Sequence, residues 1–466
     1  MRQLLIALLL PFAATGQSDA SLESSLAAWQ DRLAVPGMAW AIVEDGAIVA
    51  SGQRGRTRDG EPFTLETPLR FASISKSIAG TLLAIGETEG KLRLDEPACQ
   101  RIASLCNHPD ITLRHLAAHV SEGEPGTVYV YGSARFARLG QALTDAFDAD
   151  DYTSLVRERI TQPLGMQWFD SPHLGAHAGL VSTVRDMARY ASAFDTGALA
   201  SDDIAATIEA PFPLADGRPG PVSLGWFSQK VGGVRILWSF GQDDPDHSGA
   251  LLLRVPDRQL ALVVLANGNA ISDAFRLLMG DVRYSPLAVA FLDARVPTAG
   301  QAISPAIRAA SGILADALIG RYESAGAAFE TWQEQHGNDL DDRDLVQHFL
   351  LTSIGGALEV DSYRTHDDRV VANAPGNRWP LLASGEYRLA LGDDEVARGR
   401  FGGILALDRQ ADDFLGRLFR AWALRGMAQG TAEPARALAF VEQALALGVG
   451  GGTQAQLEAM AAELGR

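Results

Sequence analysis

The sequence predicts a mixed α/β (α+β) domain, with an antiparallel sheet and an inserted helical subdomain, followed by an all-α C-terminal extension. Apolar runs with turn signals predict strands over 38–50 and again over 222–266, and mostly helical patterns lie between these regions. Strands so far apart in sequence must pair around the intervening helices, which is typical of an α+β domain. The length of 466 residues also predicts more than one domain.

The spacing of apolar residues, together with the glycines and prolines between the apolar runs, predicts the individual elements. Residues 21–33 show helical spacing before Pro36, and Gly46 closes a turn between two strand-like runs of a hairpin. Helices are predicted over 73–89, 113–119, 136–149, 152–160 and 183–194, and further strands over 222–231, 234–238, 250–255 and 260–266.

Beyond Pro297 the composition shifts toward alanine, leucine and glutamate. Helical periodicity is present over 306–322, 340–354, 412–427 and 434–447. Two Ala-Leu-Ala triplets, beginning at Ala437 and Ala444, are typical of tetratricopeptide-type packing, but no constant period of about 34 residues fits the region. We therefore predict a first domain over 17–296 and a helical domain over 300–466, which is a candidate surface for a protein partner.

The chain is acidic, with 40 Lys and Arg residues against 57 Asp and Glu residues and a formal net charge of −17 at pH 7. Nucleic-acid recognition requires basic patches, and anionic lipid also attracts positive charge. We therefore expect no nucleic-acid partner. The charge by itself selects no substrate.

The N-terminal segment is typical of an export signal. Arg2 provides a positive start, residues 4–10 are apolar, and Ala14-Thr15-Gly16 supplies the small residues that a signal peptidase reads. The apolar run is too short for a transmembrane helix. We predict a signal peptide over 1–16 and an exported, periplasmic or secreted protein; the alternative interpretation is a buried N-terminal helix.

Cys99 and Cys106 are the only two cysteines of the chain. In an oxidising compartment they can form a disulfide that restricts the unfolded chain, and the alternative is a pair of free, buried thiols. A lone pair of cysteines lacks the further ligands that a zinc site requires, so no metal is expected there.

The strongest candidate for chemistry is the Ser-x-x-Lys pattern formed by Ser73 and Lys76. At the start of a helix, residues three apart share one face, so the lysine amine can reach the serine hydroxyl. A serine becomes a nucleophile when a neighbouring base accepts its proton, and a lysine serves as that base when burial lowers its pKa. From this motif alone, the alternative is an N-capping serine beside a solvated lysine.

Further segments surround this motif in a defined order, and they span 90–97, 111–119, 163–166 and 179–189. In order and spacing the whole set resembles the β-lactamase-related serine hydrolase family, which includes class C β-lactamases, penicillin-binding DD-peptidases and family VIII-type esterases. The resemblance covers residues 20–290. It implies a β-lactamase/transpeptidase-like fold and a hydrolase that uses Ser73 as nucleophile, acts on a small-molecule or peptide ester or amide, and needs neither cofactor nor metal.

The resemblance implies a second element, Tyr-x-Asn, on a loop of the helical subdomain that lines the pocket. Tyr131-Gly132-Ser133 matches it, with Ser133 where asparagine is usual. Tyr131 is then expected to share proton transfer with Lys76, as a phenolate or as a relay, and a packed structural tyrosine is the alternative. Ser133 keeps a hydrogen-bonding group for the substrate but loses the reach of an amide.

The third element implied by the resemblance, Lys-Thr-Gly or His-x-Gly on an edge strand, differs in this chain. Ser239-Phe240-Gly241 occupies the substrate-binding position, so a neutral serine stands where the family has a cation. The resemblance further implies that the N–H groups of Ser73 and Gln242 form the oxyanion hole. Losing the cation removes a charge-assisted hydrogen bond of about 1.5–3 kcal/mol to a substrate carboxylate. We therefore rank small esters ahead of D-alanyl peptides and β-lactams.

Three histidines are weaker candidates for a functional site. His115 and His119 have the i, i+4 spacing of metal ligands, but no third ligand accompanies them, so we expect structural roles. His247 is expected to be a turn residue, although it could also lean into the pocket beside Ser239.

An alternative function is kept open, in which the protein is a catalytically weak scaffold whose C-terminal helices bind a partner protein. The substitutions at Ser133 and Ser239 favour this interpretation, while the intact Ser73, Lys76 and Tyr131 oppose it.

Overall fold

The computed structural model describes residues 15–199, 201–243, 248–273, 275, 277–336, 364–365, 367–368, 371–372, 376–408 and 414–465. Within them the strands are β1 Gly37–Glu44, β2 Ala47–Gly55, β3 Leu69–Arg70, β4 Val181–Ser182, β5 Phe227–Val231, β6 Val234–Asp243, β7 Ser248–Val255 and β8 Leu260–Ala266. Six of these described strands form one antiparallel sheet in the order β2-β1-β8-β7-β6-β5, and β3 pairs with β4 in a separate ribbon.

The sheet joins strands from the two ends of the first domain, as the sequence predicts. Met38 of β1 lies opposite Ala266 of β8, and the antiparallel ladder continues to Glu44 opposite Leu260. The hairpin of β1 and β2 turns at Asp45 and Gly46, which both have positive φ, the conformation that a tight two-residue turn requires.

Each face of the sheet packs against its own layer of helices, because successive side chains of a strand point to opposite faces. In β8, Val263 and Leu265 lie in one apolar cluster with Leu82 of the long helix after Ser73. Leu262 and Val264 lie in a second cluster on the other face, which also contains the N-terminal helix. The result is the predicted sheet flanked by helices.

The helices of the first 301 residues are α1 Thr15–Arg32, α2 Ser75–Thr88, α3 Leu113–Ala117, α4 Ser133–Ala137, α5 Leu139–Phe147, α6 Tyr152–Val156, α7 Val184–Ser192, α8 Asp202–Glu209, α9 Ala270–Asp273, α10 Pro286–Arg295 and α11 Pro297–Gln301. Beyond residue 301, the helices that the structure describes in full are α12 Pro305–Leu318, α13 Tyr322–His336, α14 Arg378–Ala390, α15 Asp394–Leu407, α16 Phe414–Gln429, α17 Pro434–Leu445 and α18 Gly451–Leu464. Among the described residues, no helix is both long and apolar enough to cross a membrane.

The elements described in the C-terminal extension are all helices, but the first part of the extension belongs to the core of the sheet. Ile303, Ile307 and Leu314 are buried in the same cluster as the strands β6 to β8. The guanidinium of Arg32 also donates to the carboxylate of Asp316 at 2.9 and 3.1 Å. The boundary near residues 296–300 stays a prediction, and this packing argues for a later one.

Some predicted features lie outside the described residues, and others are observed directly. The leader segment 1–14 and the helix predicted over 340–354 fall outside them, while Thr15 and Gly16 begin α1. Cys99 and Cys106 form the predicted disulfide, with their Cα atoms 4.6 Å apart.

Candidate active site

Ser73 lies in a 3₁₀ turn, Ala72–Ile74, that leads directly into α2. The turn is anchored on both sides. The N–H of Phe71 donates to the Leu180 carbonyl at 2.8 Å, and the Ser75 hydroxyl donates to the Ala72 carbonyl at 2.7 Å while accepting from the Leu180 N–H at 3.0 Å. These bonds hold the half-buried Ser73 side chain in one place at the mouth of the helix.

Lys76 is buried, with 2% of its surface exposed, and its amine points at Ser73. The Nζ atom donates to Ser73 Oγ at 3.0 Å, to the His177 backbone carbonyl at 2.9 Å and, at a longer 3.4 Å, to Ser133 Oγ. Burial lowers the pKa of the amine from 10.5 to about 7. The solvated-lysine alternative is therefore wrong.

Tyr131 lies over the same amine, because Lys76 Nζ is 4.9 Å from the centroid of its ring. The ring is packed between the rings of His119 and Phe240, whose centroids are 4.6 and 5.8 Å away. Burial raises the pKa of the phenol to about 12, and a hydrogen bond with Ser73 acts in the opposite direction. The phenol is therefore protonated at neutral pH.

Ser133, the third residue of this segment, starts α4 and is exposed. Its hydroxyl is turned toward the lysine amine rather than away from the site. The structure thus brings Ser73, Lys76, Tyr131 and Ser133 together, although they come from two segments about sixty residues apart along the chain.

His119 has a structural role, as predicted, and it supports the Tyr131 segment. Its Nδ1 accepts the Gly132 N–H at 3.2 Å, and its backbone carbonyl accepts the Val130 N–H at 2.9 Å. Burial and the nearby Lys76 charge hold the pKa of the imidazole well below its ordinary value, so the ring is neutral. No local pattern in the sequence indicates the contact between residues 119 and 132, because only the fold brings them together.

His115 has the structural role predicted for it. It closes a capping box at the start of α3, where its Nδ1 accepts the Thr112 N–H at 3.2 Å. Among the described residues, no group of three or more His, Cys, Asp or Glu side chains is arranged to hold a metal ion. His247 lies outside the described residues.

Strand β6 brings the third segment against the Ser73 turn. A Cβ atom added to Gly241 would lie 2.2 Å from the Phe71 carbonyl oxygen, so only glycine permits this approach. The ladder with β5 ends at the pair of Phe227 and Trp238, whereas the ladder with β7 continues to Asp243. The segment 239–243 therefore projects past β5 along the edge of the sheet that faces the site.

The side chains of this segment alternate between the two faces of the sheet. Phe240 packs with Trp238 in the cluster of α1 and α10, which leaves Ser239 on the face of Leu237 and α2. Ser239 is buried, with 2% of its surface exposed. Gln242 follows Gly241 on β6, and its part in an oxyanion hole stays a prediction.

Comparisons with known proteins show the family and similar folds. A family model described as Beta-lactamase matches residues 24–279. The octameric penicillin-binding protein homologue from Pyrococcus abyssi has a similar fold, with a TM-score of 0.52 and 18% identity over 62% of this chain and 80% of that one.

Two further solved structures are similar at lower TM-scores. The D-alanine carboxypeptidase AmpC from Burkholderia cenocepacia gives 0.47 at 19% identity over 62% of this chain and 98% of its own. The class C beta lactamase from Rhodobacter sphaeroides gives 0.44 at 19% identity over 53% of this chain and 94% of its own. A search of curated proteins finds no match.

Proposed function

The chain belongs to the Beta-lactamase family, and from this premise we propose that it is a serine hydrolase that cleaves an ester or amide through an acyl-enzyme at Ser73. One observation carries the proposal. The buried amine of Lys76 lies 3.0 Å from Ser73 Oγ, and its pKa of about 7 leaves a substantial neutral fraction at physiological pH. A neutral amine at hydrogen-bonding distance is the base that a serine nucleophile requires.

In the acylation step, Ser73 Oγ attacks the substrate carbonyl carbon while its proton passes to Lys76 Nζ. The N–H groups of Ser73 and Gln242 stabilise the oxyanion of the tetrahedral intermediate. When that intermediate collapses, the bond to the leaving group breaks and the leaving group takes a proton from the ammonium, relayed through the Tyr131 hydroxyl. Tyr131 suits a relay, because its pKa of about 12 keeps it protonated and therefore able to donate.

In the deacylation step, water attacks the acyl carbon and gives its proton to the same pair of groups. The ester bond to Ser73 then breaks, the acid product leaves, and Ser73 Oγ recovers its proton. The substrate lies along the projecting segment of β6, where Ser239 supplies no charge. Ser133, at the start of α4, offers the substrate a hydroxyl. D-alanyl peptides and β-lactams carry a carboxylate that gains no charge-assisted hydrogen bond at Ser239, so we rank small neutral esters ahead of them.

We also propose that the protein works in an oxidising compartment, in the periplasm or outside the cell. The Cys99–Cys106 disulfide supports this location, because structural disulfides are rare in reducing compartments.

A fluorophosphonate probe, followed by mapping of the labelled peptide by mass spectrometry, tests the proposal on the full chain. We expect label on Ser73 and turnover of a p-nitrophenyl ester, with both lost in Ser73→Ala. Ser24→Ala, which alters an exposed serine of α1, is the matched control and should keep both. A folded wild-type protein with neither label nor turnover would instead favour the scaffold that binds a partner protein.

A further inference from the structure

The last helices of the chain pack against the segment that leads to Tyr131. We call residues 121–132 the Tyr131 loop and α16 to α18 the docking helices. Val128 of the loop is buried in one apolar cluster with Phe414 and Leu418 of α16, and Val130 packs on the same cluster. The segment carrying Tyr131 therefore shares a core with helices nearly three hundred residues away in the sequence.

A second contact of this interface requires a glycine. Gly123 has a φ of +58°, and a Cβ atom added to it would lie 1.6 Å from Cζ of Phe414. The aromatic ring of α16 thus covers the backbone of the loop directly. Any side chain at position 123 would push the ring and the loop apart.

A third contact is ionic and connects the docking helices with α4. The Glu122 carboxylate accepts the Gly452 N–H at 2.5 Å, at the start of the fourteen-residue helix α18, where the helix dipole favours a negative charge. Its other oxygen lies 3.4 Å from Nε of Arg135. Arg135 belongs to α4, which begins at Ser133, so one carboxylate holds both ends of the Tyr131 loop relative to α18.

We propose that the docking helices position Tyr131 and Ser133 for the reaction, with Glu122 and Phe414 as positioning residues. This inference rests on the proposed function. His119 holds the loop from the side of the catalytic domain, and the docking helices hold it from the other side. Releasing one side lets the phenol move from Ser73, and a displacement of about 1 Å at a reacting group lowers the rate by up to about a hundredfold.

The ionic contact is tested in the full chain with Glu122→Ala and Glu122→Gln. The alanine variant removes both contacts of the carboxylate, and the glutamine variant keeps an acceptor for the Gly452 N–H while it removes the charge facing Arg135. We expect kcat for a p-nitrophenyl ester to fall about ten- to a hundredfold in Glu122→Ala and less in Glu122→Gln, with KM within about twofold of wild type. Glu386→Gln, which removes a carboxylate from the 3.1 Å ion pair with Arg425 inside the helical region, is the matched control and should leave kcat unchanged.

The apolar contact is tested with Gly123→Ala. Gly165→Ala is its matched control, because Gly165 has a φ of +61° and a Cβ there would meet no atom within 4 Å. Both variants carry the same backbone strain, and only Gly123→Ala displaces Phe414. We expect kcat to fall in Gly123→Ala alone.

A readout that does not depend on catalysis separates this inference from the proposed function. Amide hydrogen exchange reports the bonds from Gly126 to Val120, from Val130 to His119 and from Gly132 to His119. We expect faster exchange of the Tyr131 loop in Glu122→Ala and Gly123→Ala, and wild-type exchange in both controls. Wild-type exchange or wild-type kcat in both test variants would overturn the inference. Absence of turnover in the wild type would overturn the proposed function, and the exchange data would still decide whether the helices hold the loop.

Discussion

At the scale of single residues, burial shifts the pKa values of Lys76 and Tyr131 in opposite directions, although both side chains contact the Ser73 hydroxyl. Burial disfavours a charged group, and the charged form of Lys76 is the protonated acid, so its pKa falls to about 7. Removing Tyr131 from water raises its pKa to about 12, because the charged form is the base. Near pH 7 the amine is therefore available as a base, while the phenol is protonated and can give up its proton as it accepts another. Of the two roles expected for Tyr131, the relay suits these pKa values better than the phenolate.

This division of roles predicts the pH dependence of the reaction. The neutral amine becomes more abundant as the pH rises through about 7, so kcat/KM should rise tenfold per pH unit below that value and level off above it. Tyr131 should add no falling limb below pH 10, because its pKa is about 12. The measurement is kcat/KM of a neutral ester between pH 5 and 9.5.

Lys76→Arg provides the check on the assignment. The guanidinium stays protonated over the whole range, so we expect kcat/KM to fall by about 10² to 10⁴ and the rising limb to disappear. Lys91→Arg, on the exposed loop after α2, should leave the profile unchanged. A rising limb retained in Lys76→Arg would show that a different group accepts the proton.

The neutral Ser239 predicts a site that discriminates little for or against a carboxylate beside the scissile bond. Ser239 is buried on the α2 face of β6, opposite Leu252 of β7. Introducing a cation with Ser239→His or Ser239→Lys should improve carboxylate-bearing substrates by about 1.5–3 kcal/mol in transition-state binding. The comparison is kcat/KM for nitrocefin against a neutral p-nitrophenyl ester, with Ser228→His on β5 as the control.

Two results would contradict this interpretation of Ser239. Strong nitrocefin hydrolysis by the wild type would mean that another group already supplies the charge. Equal gains for both substrates would mean that the new cation tunes pKa values rather than binds the carboxylate.

At the scale of elements, local signals predicted most of the architecture that positions the site. The turn at Asp45 and Gly46 and the apolar runs around it predicted the first hairpin, because two-residue turns of positive φ connect antiparallel strands. Ser73 and Lys76 were predicted together because residues three apart share a helical face. The structure adds that a 3₁₀ turn precedes the helix, so Ser73 lies just ahead of α2 rather than inside it.

Features that depend on distant contacts were not predictable in the same way. Gly385 of α14 and Gly426 of α16 both lie against the ring of Phe401, where an added Cβ would be 2.4 and 2.3 Å from it. Glycine weakens a helix locally, and α14, which carries Gly385, was not among the predicted helices although it packs this closely on α15. The bond between His119 and Gly132 is also invisible in the sequence, because only the fold brings the two residues together.

At the scale of the whole molecule, the sheet separates two apolar cores, and the second core continues into the C-terminal extension. The helices α10 to α12 cover the face of the sheet opposite to α2. The docking helices, which come later in the chain, pack against the Tyr131 loop. By this packing the extension contributes to the core of the sheet, and by the inference above it also positions Tyr131.

These two contributions predict different outcomes for two shortened chains. A chain ending at Val296 loses the side chains of Ile303, Ile307 and Leu314 from the core beneath the sheet. Each such side chain contributes about 1.5–3 kcal/mol when buried, so their loss approaches the total stability of about 5–15 kcal/mol of an ordinary domain. We expect this chain to unfold or to aggregate.

A chain ending at Gly320 keeps α10 to α12 and the ion pair of Arg32 with Asp316, but it lacks the docking helices. We expect it to unfold cooperatively and to react with a fluorophosphonate at Ser73, because Lys76 and its contacts remain. Its kcat for a neutral ester should nevertheless fall by about as much as in Glu122→Ala, since the Tyr131 loop has lost the same support. Thermal unfolding and kcat, measured on both chains, test the expected stability and the expected loss of turnover. Full turnover by the Gly320 chain would show that the loop holds Tyr131 without the docking helices, and a stable Val296 chain would place the domain boundary where the composition changes.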